Sequence, residues 1–307
     1  MTRPHAFDAY LQALRISSFA WLCGALWLSL APCALADDAE RSDPEARPEN
    51  GYWSVGKPRF FISTRTEIGA PYAKPYFSAG WGLPHWIWLG VDVNAIITTE
   101  VAETFAGLRL ASPILDVSLA LRDTWSFGKP FLQPRASYNA EQVFEQPGAL
   151  ARYLVMEGDA VLLIPLPHAA LVGNVVMVDV LNMPRDRYVY EESYRLVIKN
   201  RLLFVLRMAV LARFLHENAA RLGVLAEYGF NTGRSKGVWR VGPILSVQLT
   251  DHLQLNAGCT ITVSSPDQLG LTLGAYGVAG VRYQWATGEA RPALPWNEDL
   301  IPFGSGG

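Results

Sequence analysis

The sequence predicts an all-β protein, namely a transmembrane antiparallel up-and-down β-barrel of about 12 strands. Three observations predict it: an export signal, no later segment apolar enough for a membrane helix, and long segments in which apolar and polar residues alternate. Alternation places apolar side chains on one face of a strand and polar side chains on the other. An exported chain without a hydrophobic helix can still span a membrane, but only as a closed barrel.

Residues 1–36 have the three regions of a cleavable signal peptide. Two arginines precede an apolar stretch at 19–30, and the sequence ALA that ends at Ala36 is the small-x-small pattern after which a signal peptidase cuts. We therefore predict cleavage near Ala36. A membrane anchor is one alternative, and residues 30–33 (LAPC) loosely resemble a lipoprotein box, which leaves lipidation of Cys33 open.

Composition divides the mature chain into three parts and excludes some functions. Residues 37–56 are predicted to be a flexible segment in the periplasm, because they begin with a charged run free of large apolar residues. Residues 57–287 are the predicted barrel, and residues 288–307, rich in Pro and Gly, are a tail. A balance of 26 Lys+Arg against 28 Asp+Glu gives no electrostatic basis for binding nucleic acid. After cleavage Cys259 is the one remaining cysteine, so no internal disulfide is expected.

The alternation is clearest in residues 237–264, which contain two such runs on either side of a short turn. Each run is about ten to twelve residues long, enough to cross a bilayer as a tilted strand. A soluble β-sandwich has the same period and is the alternative fold. A run at 74–82 could be a thirteenth strand or the end of the second. The twelve candidate strands lie near residues 58–68, 84–97, 100–111, 114–127, 149–165, 168–182, 187–199, 202–214, 219–231, 237–250, 253–264 and 270–286.

Two regions disagree with the simplest barrel. Residues 201–228 are rich in Leu, Ala, Arg and Met, which favour helix, so a pair of amphipathic helices is the alternative to two strands there. The strand count also places residues 128–148 on the periplasmic side, where turns are normally short. Either this barrel has an unusual inner loop or the strand count is off by one.

Charged side chains on the polar faces are predicted to line the lumen. The arginines among them outnumber the acids, which favours a narrow pore with a mild anion preference, since rings of Arg select anions. A network of salt bridges inside a purely structural barrel is the alternative. The predicted lumen residues are Arg65, Glu67, Arg122, Glu157, Asp159, Glu191, Arg195, Arg207, Arg213, Arg221, Glu227, Arg240 and Arg282.

Aromatic residues lie near the ends of several candidate strands. Trp and Tyr are enriched at the two membrane interfaces of a barrel, where they form girdles. The predicted girdle residues are Trp86, Trp88, Trp125, Tyr188, Tyr190, Tyr228, Trp239, Tyr283 and Trp285.

The sequence predicts no catalytic residue. The mature histidines, His85, His168, His216 and His252, are dispersed at strand ends or turns, and the serines at 264–265 lie at the opposite strand end from His252. A Ser–His hydrolase is therefore a minor alternative, because nothing brings a nucleophile, a base and an orienting acid together. The sequence has no HExxH, CxxC or Walker-type spacing, so neither a metal nor a cofactor is expected.

Several motifs resemble outer-membrane β-barrel proteins of Gram-negative bacteria, over roughly residues 57–288. The closing strand YGVAGVRYQWATG and the runs at 188–197 (YVYEESYRLV), 249–253 (LTDHL) and 265–271 (SPDQLGL) are similar to an uncharacterised porin-like family. The resemblance implies a barrel in outer-membrane lipid and no catalytic residue. From the residues we predict a passive channel or a structural barrel, with a lipid hydrolase or a surface-interaction barrel as alternatives. The resemblance also implies insertion by the barrel-assembly machinery, which recognises an aromatic residue at the end of the last strand. Trp285 fits that role, although the chain continues beyond it, and the oligomeric state is open.

Overall fold

The computed structural model describes residues 58–287, with gaps at 71, 85–86, 145–147, 167, 200, 214–219, 235 and 251. The predicted signal peptide, the segment 37–56 and the tail 288–307 lie outside the described residues, so these three assignments stay predictions.

Twelve long strands in the described part of the chain form one closed antiparallel barrel. A shorter hairpin, β8 (Val189–Glu191) and β9 (Leu196–Ile198), is inserted between two of them. One closed sheet is not a two-sheet sandwich, so that alternative was wrong. The barrel strands are β1 (Arg59–Ala70), β2 (Tyr72–Leu83), β3 (Ile87–Thr98), β4 (Val101–Ala111), β5 (Leu115–Pro130), β6 (Leu150–Pro165), β7 (Ala169–Val180), β10 (Leu202–Arg213), β11 (Ala220–Asn231), β12 (Val238–Gln248), β13 (Leu253–Ser264) and β14 (Tyr276–Ala286).

The order of strands around the barrel follows the order in the chain. β1 closes the barrel by pairing with β14, and the register runs from Ser63 opposite Ala286 to Ala70 opposite Ala279. β7 pairs directly with β10, from Leu202 opposite Asp179 onward, so the β8–β9 hairpin leaves the wall without interrupting it.

The predicted number of barrel strands is correct, but two of the assignments behind it were wrong. The run at 74–82 belongs to β2, a full strand, whereas the candidate strand at 187–199 is the inserted hairpin. These two errors offset each other in the total. Because β2 adds a strand before residues 128–148, that loop moves to the end of the barrel opposite the chain termini, and no unusual inner loop is needed.

The helix alternative for residues 201–228 was also wrong. β10 and β11 pair continuously, from Leu203 opposite Asn231 to Arg213 opposite Arg221. Large apolar residues on the even positions of both strands face outward, and pairing within the closed sheet overrides the helix propensity of Leu, Ala and Arg.

The two ends of the barrel differ in their connections. At one end, called here the terminal end, lie Arg59 and Ala286 and the short connections at 84–86, 112–114, 166–168 and 249–252. At the other, the loop end, lie the connections at 131–149, 181–201 and 265–275. The first of these three contains helix α1 (Ala140–Phe144) and the last contains helix α2 (Gly270–Gly274). None of the described helices is long and apolar enough to cross a bilayer.

The outer face of the barrel is apolar and the inner face is largely polar. Phe60, Leu108 and Val224 point outward and are 82%, 61% and 55% exposed, whereas the inward side chains of Arg207 and Asn174 are fully buried. Soluble proteins rarely expose apolar surface on this scale, so this belt requires an apolar surrounding.

Candidate functional site: a plugged lumen

The β8–β9 hairpin lies inside the barrel at the loop end. We call residues 188–198 the plug. One side of the plug packs against apolar residues on the inner wall: Tyr194, Leu196 and Ile198 join one buried cluster with wall residues such as Tyr153 and Val178. The plug is therefore fixed to one side of the lumen by apolar contact.

Arg240, on the inner face of β12, holds the turn of the plug. Its guanidinium donates to the carbonyl oxygens of Tyr194 at 2.9 Å and of Arg195 at 2.7 Å, and its Nε donates to the carbonyl oxygen of Gly274 at 2.8 Å. It also forms an ion pair with Glu227 on β11. One buried side chain thus connects the wall, the plug and the α2 segment.

Arg122, on β5, is the centre of a second contact with the plug. Its guanidinium lies 2.9 Å from Glu103, 3.2 Å from Glu157 and 2.6 Å from Glu191 of the plug, and its side chain is completely buried. Ser193 of the plug donates to Glu103 at 2.5 Å. Three carboxylates around one cation are stable in a dry site only with such close pairing and hydrogen bonding.

Lys129 of β5 and Glu192 of the plug form a third contact between wall and plug, nearer the loop end of the barrel. Lys129 Nζ lies 2.9 Å from Glu192 of the plug and also forms an ion pair with Glu100. Burial raises the pKa of Glu192 to about 8, although Lys129 acts in the opposite direction by favouring the charged carboxylate. The pKa of this plug carboxyl thus lies nearer to neutral pH than that of an ordinary glutamate.

The other two long connections cover the plug at the loop end. Leu132 and Tyr188 exchange backbone hydrogen bonds of 2.7 and 3.0 Å, and the Tyr190 hydroxyl donates to the carbonyl oxygen of Leu273 at 2.8 Å. The cover and the plug share an apolar cluster, formed by Leu132, Tyr138, Val143, Leu269 and Leu273 of the cover and Tyr188, Tyr190 and Val197 of the plug. The plug and its cover therefore close the lumen at this end.

The remaining lumen has an apolar side and a polar side. Towards the terminal end, the inner faces of β6, β7 and β10 to β12 carry a packed apolar cluster: Leu163, Ala170, Val172, Ala209, Leu211, Leu225 and Ile244. The wall from Ser246 of β12 through β14 and β1 to β3 is mostly polar instead, apart from apolar residues near the terminal end such as Phe61 and Trp88. Its buried polar residues are Ser63, Arg65, Glu67, Lys74, Tyr76, Asn94, Ser246, Gln254, Asn256, Arg282 and Gln284.

Side chains of the polar wall are bonded in a row across the strands. Arg282 forms an ion pair of 2.7 Å with Glu67, which also accepts a hydrogen bond from Tyr72. Gln254, opposite Arg282 in the register, donates to Ser246 at 2.7 Å. Next to this row, both amide atoms of Asn256, which is 1% exposed, have no hydrogen-bond partner in the described part of the chain. Buried amides of this kind are normally satisfied by water, so this wall is suited to line a narrow aqueous path.

The structure places most of the predicted lumen residues on the inner wall. Asp159 lies partly buried there and accepts a hydrogen bond from Asn174. Glu191 and Arg195 belong to the plug inside the barrel, so the prediction that they lie on a barrel strand at 187–199 was wrong. The side chain of Arg213 lies outside the described residues. The residues buried on the inner wall are Arg65, Glu67, Arg122, Glu157, Arg207, Arg221, Glu227, Arg240 and Arg282.

Several charged residues of the lumen were missed from the sequence. Arg109, for example, forms ion pairs of 2.8 Å with Asp116 and 3.0 Å with Asp92. Apolar residues such as Val101 and Phe105 share the inner face of β4, which weakens the alternation that would have indicated its charged residues. With these included, the buried charged residues in the described ranges are Arg65, Lys74, Arg109, Arg122, Lys129, Arg207, Arg221, Arg240 and Arg282 against Glu67, Asp92, Glu103, Asp116, Glu157, Glu191, Glu227 and Asp267. The basic and acidic residues of this set therefore nearly balance.

Three predicted girdle residues were wrong. Trp88 is 4% exposed because even-numbered residues of β3 face inward, and it packs edge-on against Phe61 with ring centroids 5.4 Å apart. Tyr188 and Tyr190 are buried in the plug.

The other aromatic residues near the strand ends fall into two groups. Trp86 lies outside the described residues. The described ones that lie on the outer face are Trp125, Tyr228 and Trp239 towards the loop end, and Tyr283 and Trp285 towards the terminal end, where Phe60 and Trp81 also lie.

The histidines form no cluster with a nucleophile among the described residues. His168 is exposed at the terminal end, and His252 lies there too, with Nδ1 3.0 Å from the carbonyl oxygen of Gln284. His85 and His216 lie outside the described residues. The serines at 264–265 are at the loop end, a full strand away from His252. No group of three potential metal ligands occurs in the described ranges.

No family model matches the sequence, and no curated protein matches it. Among solved structures, the chain is similar to a KdgM porin in complex with disordered oligogalacturonate, at 9% identity and a TM-score of 0.37, over 73% of this chain and 98% of that one. It is also similar to the NanC porin, at 6% identity and a TM-score of 0.35, over 74% of this chain and 98% of that one. A third similar structure is a loop L8 deletion mutant of OmpT, an outer membrane protein of Vibrio cholerae. It is 10% identical with a TM-score of 0.34, over 76% of this chain and 100% of that one. At these values the likeness carries no argument about function, which has to come from the barrel itself.

Proposed function

We propose that the protein is an integral outer-membrane barrel of a Gram-negative bacterium and acts as a narrow passive channel that is closed at its loop end by the plug. The observation that carries this proposal is the arrangement of the lumen, in which a polar wall with an unpartnered amide at Asn256 runs beside a plug held by Arg240 and Arg122.

The outer face supports the membrane placement. Apolar side chains cover it, and aromatic residues lie towards both of its ends, as at the two interfaces of a bilayer. Outer-membrane barrels have short periplasmic turns and long outer loops. The terminal end is therefore assigned to the periplasm and the loop end, with the plug and its cover, to the outside. Trp285, near the end of β14, is the proposed contact for the barrel-assembly machinery.

The contacts of the plug support a closure that can open. Apart from its apolar contacts, the plug is held by ion pairs and hydrogen bonds from Arg122 and Lys129 on β5 and from Arg240 on β12. Water can replace such bonds when the plug moves. Since basic and acidic residues nearly balance, the proposed path has at most a weak ionic preference.

A purely structural barrel is the second candidate, and one observation favours it. The apolar cluster that includes Val172, Leu211 and Leu225 fills its side of the lumen near the terminal end, where a wide pore would carry polar residues. The two candidates differ in conductance alone.

Recording from the purified mature protein in planar bilayers tests the proposal. The wild type should give small or rare single-channel steps, and Arg240→Gln, which loosens the plug, should raise the open probability. Arg221→Gln is the matched control, because Arg221 is a buried lumen arginine in the half of β11 nearer the terminal end and away from the plug. A barrel that stays silent in all three forms would favour the structural candidate. Soluble folding of the mature chain in plain buffer would contradict the membrane placement.

A further inference from the structure

Lys74, on the inner face of β2, is a buried lysine that takes no part in holding the plug. It belongs to the polar wall of the lumen and is 7% exposed. Within the part of the chain that the structure describes, its ammonium group has neither a hydrogen-bond acceptor nor an ion-pair partner. Buried charges are normally paired, because removing an ion from water is costly. Lys74 therefore lacks the counter-ion that a buried ammonium group needs.

The carboxylate on the neighbouring strand is bound to other donors. Glu67 of β1 stands directly opposite Lys74 in the register. One of its oxygens accepts hydrogen bonds from Arg282, at 2.7 Å from Nη2 and 3.0 Å from Nε, and the other accepts from the Tyr72 hydroxyl. Glu67 attracts Lys74 through space but makes no direct bond with it.

Glu103 of β4 is the other carboxylate whose charge acts on Lys74. One oxygen of Glu103 pairs with Arg122 at 2.9 Å, and the other accepts a hydrogen bond from Ser193 of the plug at 2.5 Å. Glu103 therefore belongs to the contact between Arg122 and the plug, and both of its oxygens already have a donor.

Two arginines add positive charge around Lys74. Arg65 and Arg282 both act on its ammonium group. Arg65 and Lys74 also lie beside the same ring, with the guanidinium carbon 4.0 Å and the lysine Nζ 5.1 Å from the ring centroid of Tyr76. An aromatic ring attracts cations but carries no net charge. Although the charges of the lumen nearly balance as a whole, three basic groups here face two carboxylates.

We propose that Lys74 binds a small oxyanion, either a carboxylate or inorganic phosphate, that enters the lumen. The ammonium group would donate to an oxygen of the anion, and the positive charges of Arg65 and Arg282 would add attraction. Because so little of Lys74 is exposed, the site suits a small anion. This inference rests on the proposed channel, since the anion reaches Lys74 through the lumen.

The thermal stability of the folded mature protein in neutral maltoside micelles tests the Lys74 site. A ligand that binds the folded state alone raises the unfolding temperature. The measurement is the temperature at which half of the protein loses its folded band on a heat-modifiable gel. At equal ionic strength, we expect acetate or phosphate to raise this temperature for the wild type relative to chloride.

Variants of Lys74 identify the group that responds. Lys74→Met and Lys74→Gln should lose the increase, and both should fold, because they remove a buried charge that has no ion-pair partner among the described residues. Lys74→Arg keeps the charge and should keep the increase. Lys236→Met, which removes an exposed lysine from the turn at 232–237, is the matched control and should respond like the wild type.

The two anions separate the two possible ligands. An increase with acetate alone assigns a carboxylate, and an increase with phosphate alone assigns phosphate. Phosphate also stabilises proteins by its exclusion from their surface, so the effect of the site is the difference between the wild type and Lys74→Met. If the two proteins respond equally to both anions, the proposal is wrong.

Planar-bilayer recording distinguishes failure of the site from failure of the channel. A barrel that conducts, but whose unfolding temperature shows no increase that depends on Lys74, contradicts the Lys74 site alone. A silent barrel that shows this increase contradicts the conducting path and supports the site.

Discussion

The guanidinium of Arg240 on β12 donates a 2.9 Å hydrogen bond to the backbone carbonyl oxygen of Tyr194 at the turn of the plug. Because the acceptor is a backbone atom, this bond fixes the position of the turn whatever side chain stands at residue 194. The same guanidinium is paired with Glu227, which is paired in turn with Arg207 on β10 at 2.7 Å. The position of the plug is thus coupled to a chain of buried charges that crosses three strands.

Removing Arg122 should destabilise the barrel more than any surface change. Arg122→Met leaves Glu103, Glu157 and Glu191 buried without their shared cation, and breaking a buried ion pair in this way costs about 3–5 kcal/mol. The measurement is the urea midpoint of unfolding in micelles, followed by the heat-modifiable gel shift.

The control for Arg122 is the ion pair of Arg152 with Asp123, which lies on the outside of the barrel with Arg152 67% exposed. Exposed pairs contribute little, so Arg152→Met should leave the urea midpoint almost unchanged. Similar midpoints for both variants would mean that Arg122 is solvated and that the lumen around it is open.

Arginine on the outer face should be tolerated according to its depth. Val224 lies near the middle of β11 and is 55% exposed, so Val224→Arg should cost about 2–4 kcal/mol in a bilayer, against about 0–1 kcal/mol near an interface. Leu249, just beyond the end of β12 and 52% exposed, is the interface control. The measurement is folding efficiency into lipid vesicles. Equal efficiency for Val224→Arg and Leu249→Arg would show that the apolar belt does not face acyl chains.

The barrel wall could be predicted from the sequence because each strand has one lipid face and one lumen face. The plug could not be predicted from the sequence, for a physical reason. Tyr188 to Ile198 also has two faces, one against the wall and one against the cover, and it turns at residues 192–195 without a glycine. Because both faces are buried, its two short strands read as apolar runs without alternation, and their combined length matches one barrel strand. Only the strand pairing separates a short hairpin from one long strand.

The lumen was predicted incompletely for a related reason. On β5 and β12 the inward residues are mostly polar, so Arg122 and Arg240 stand out in the sequence. On β4 the inward face mixes Glu103 and Arg109 with apolar side chains such as Phe105, which obscures it. A single sequence also carries no signal for the ion pairs between strands, which depend on register.

Plug docking should weaken as the pH rises from about 4.5 to about 8. Burial raises the pKa of Glu192 from 4.5 to about 8 in the docked plug, so within this window the docked form keeps a proton that the undocked form releases. Lower pH therefore favours docking, and above pH 8 the effect is complete. We expect a higher open probability in planar bilayers at pH 9 than at pH 5.

The matched variants for this pH dependence are Glu192→Gln and Glu141→Gln. Glu192→Gln removes the titrating carboxyl and should flatten the response, whereas Glu141→Gln, on the exposed side of α1, should leave it intact. A pH response that persists in Glu192→Gln would assign the titration to another group.

Cys259 should report the lipid face directly. It lies in the middle of β13, exposed on the outer face, and Cys23 and Cys33 precede the predicted cleavage site, so a chain refolded from residue 37 carries this one cysteine. A nitroxide label on it should be more accessible to oxygen, which concentrates in acyl chains, than to a water-soluble nickel complex. The comparison is Ser246→Cys in a Cys259→Ser background, which directs the label to the polar wall of the lumen. The same relaxation enhancement by nickel at both sites would place Cys259 in water and contradict the assignment of the two faces.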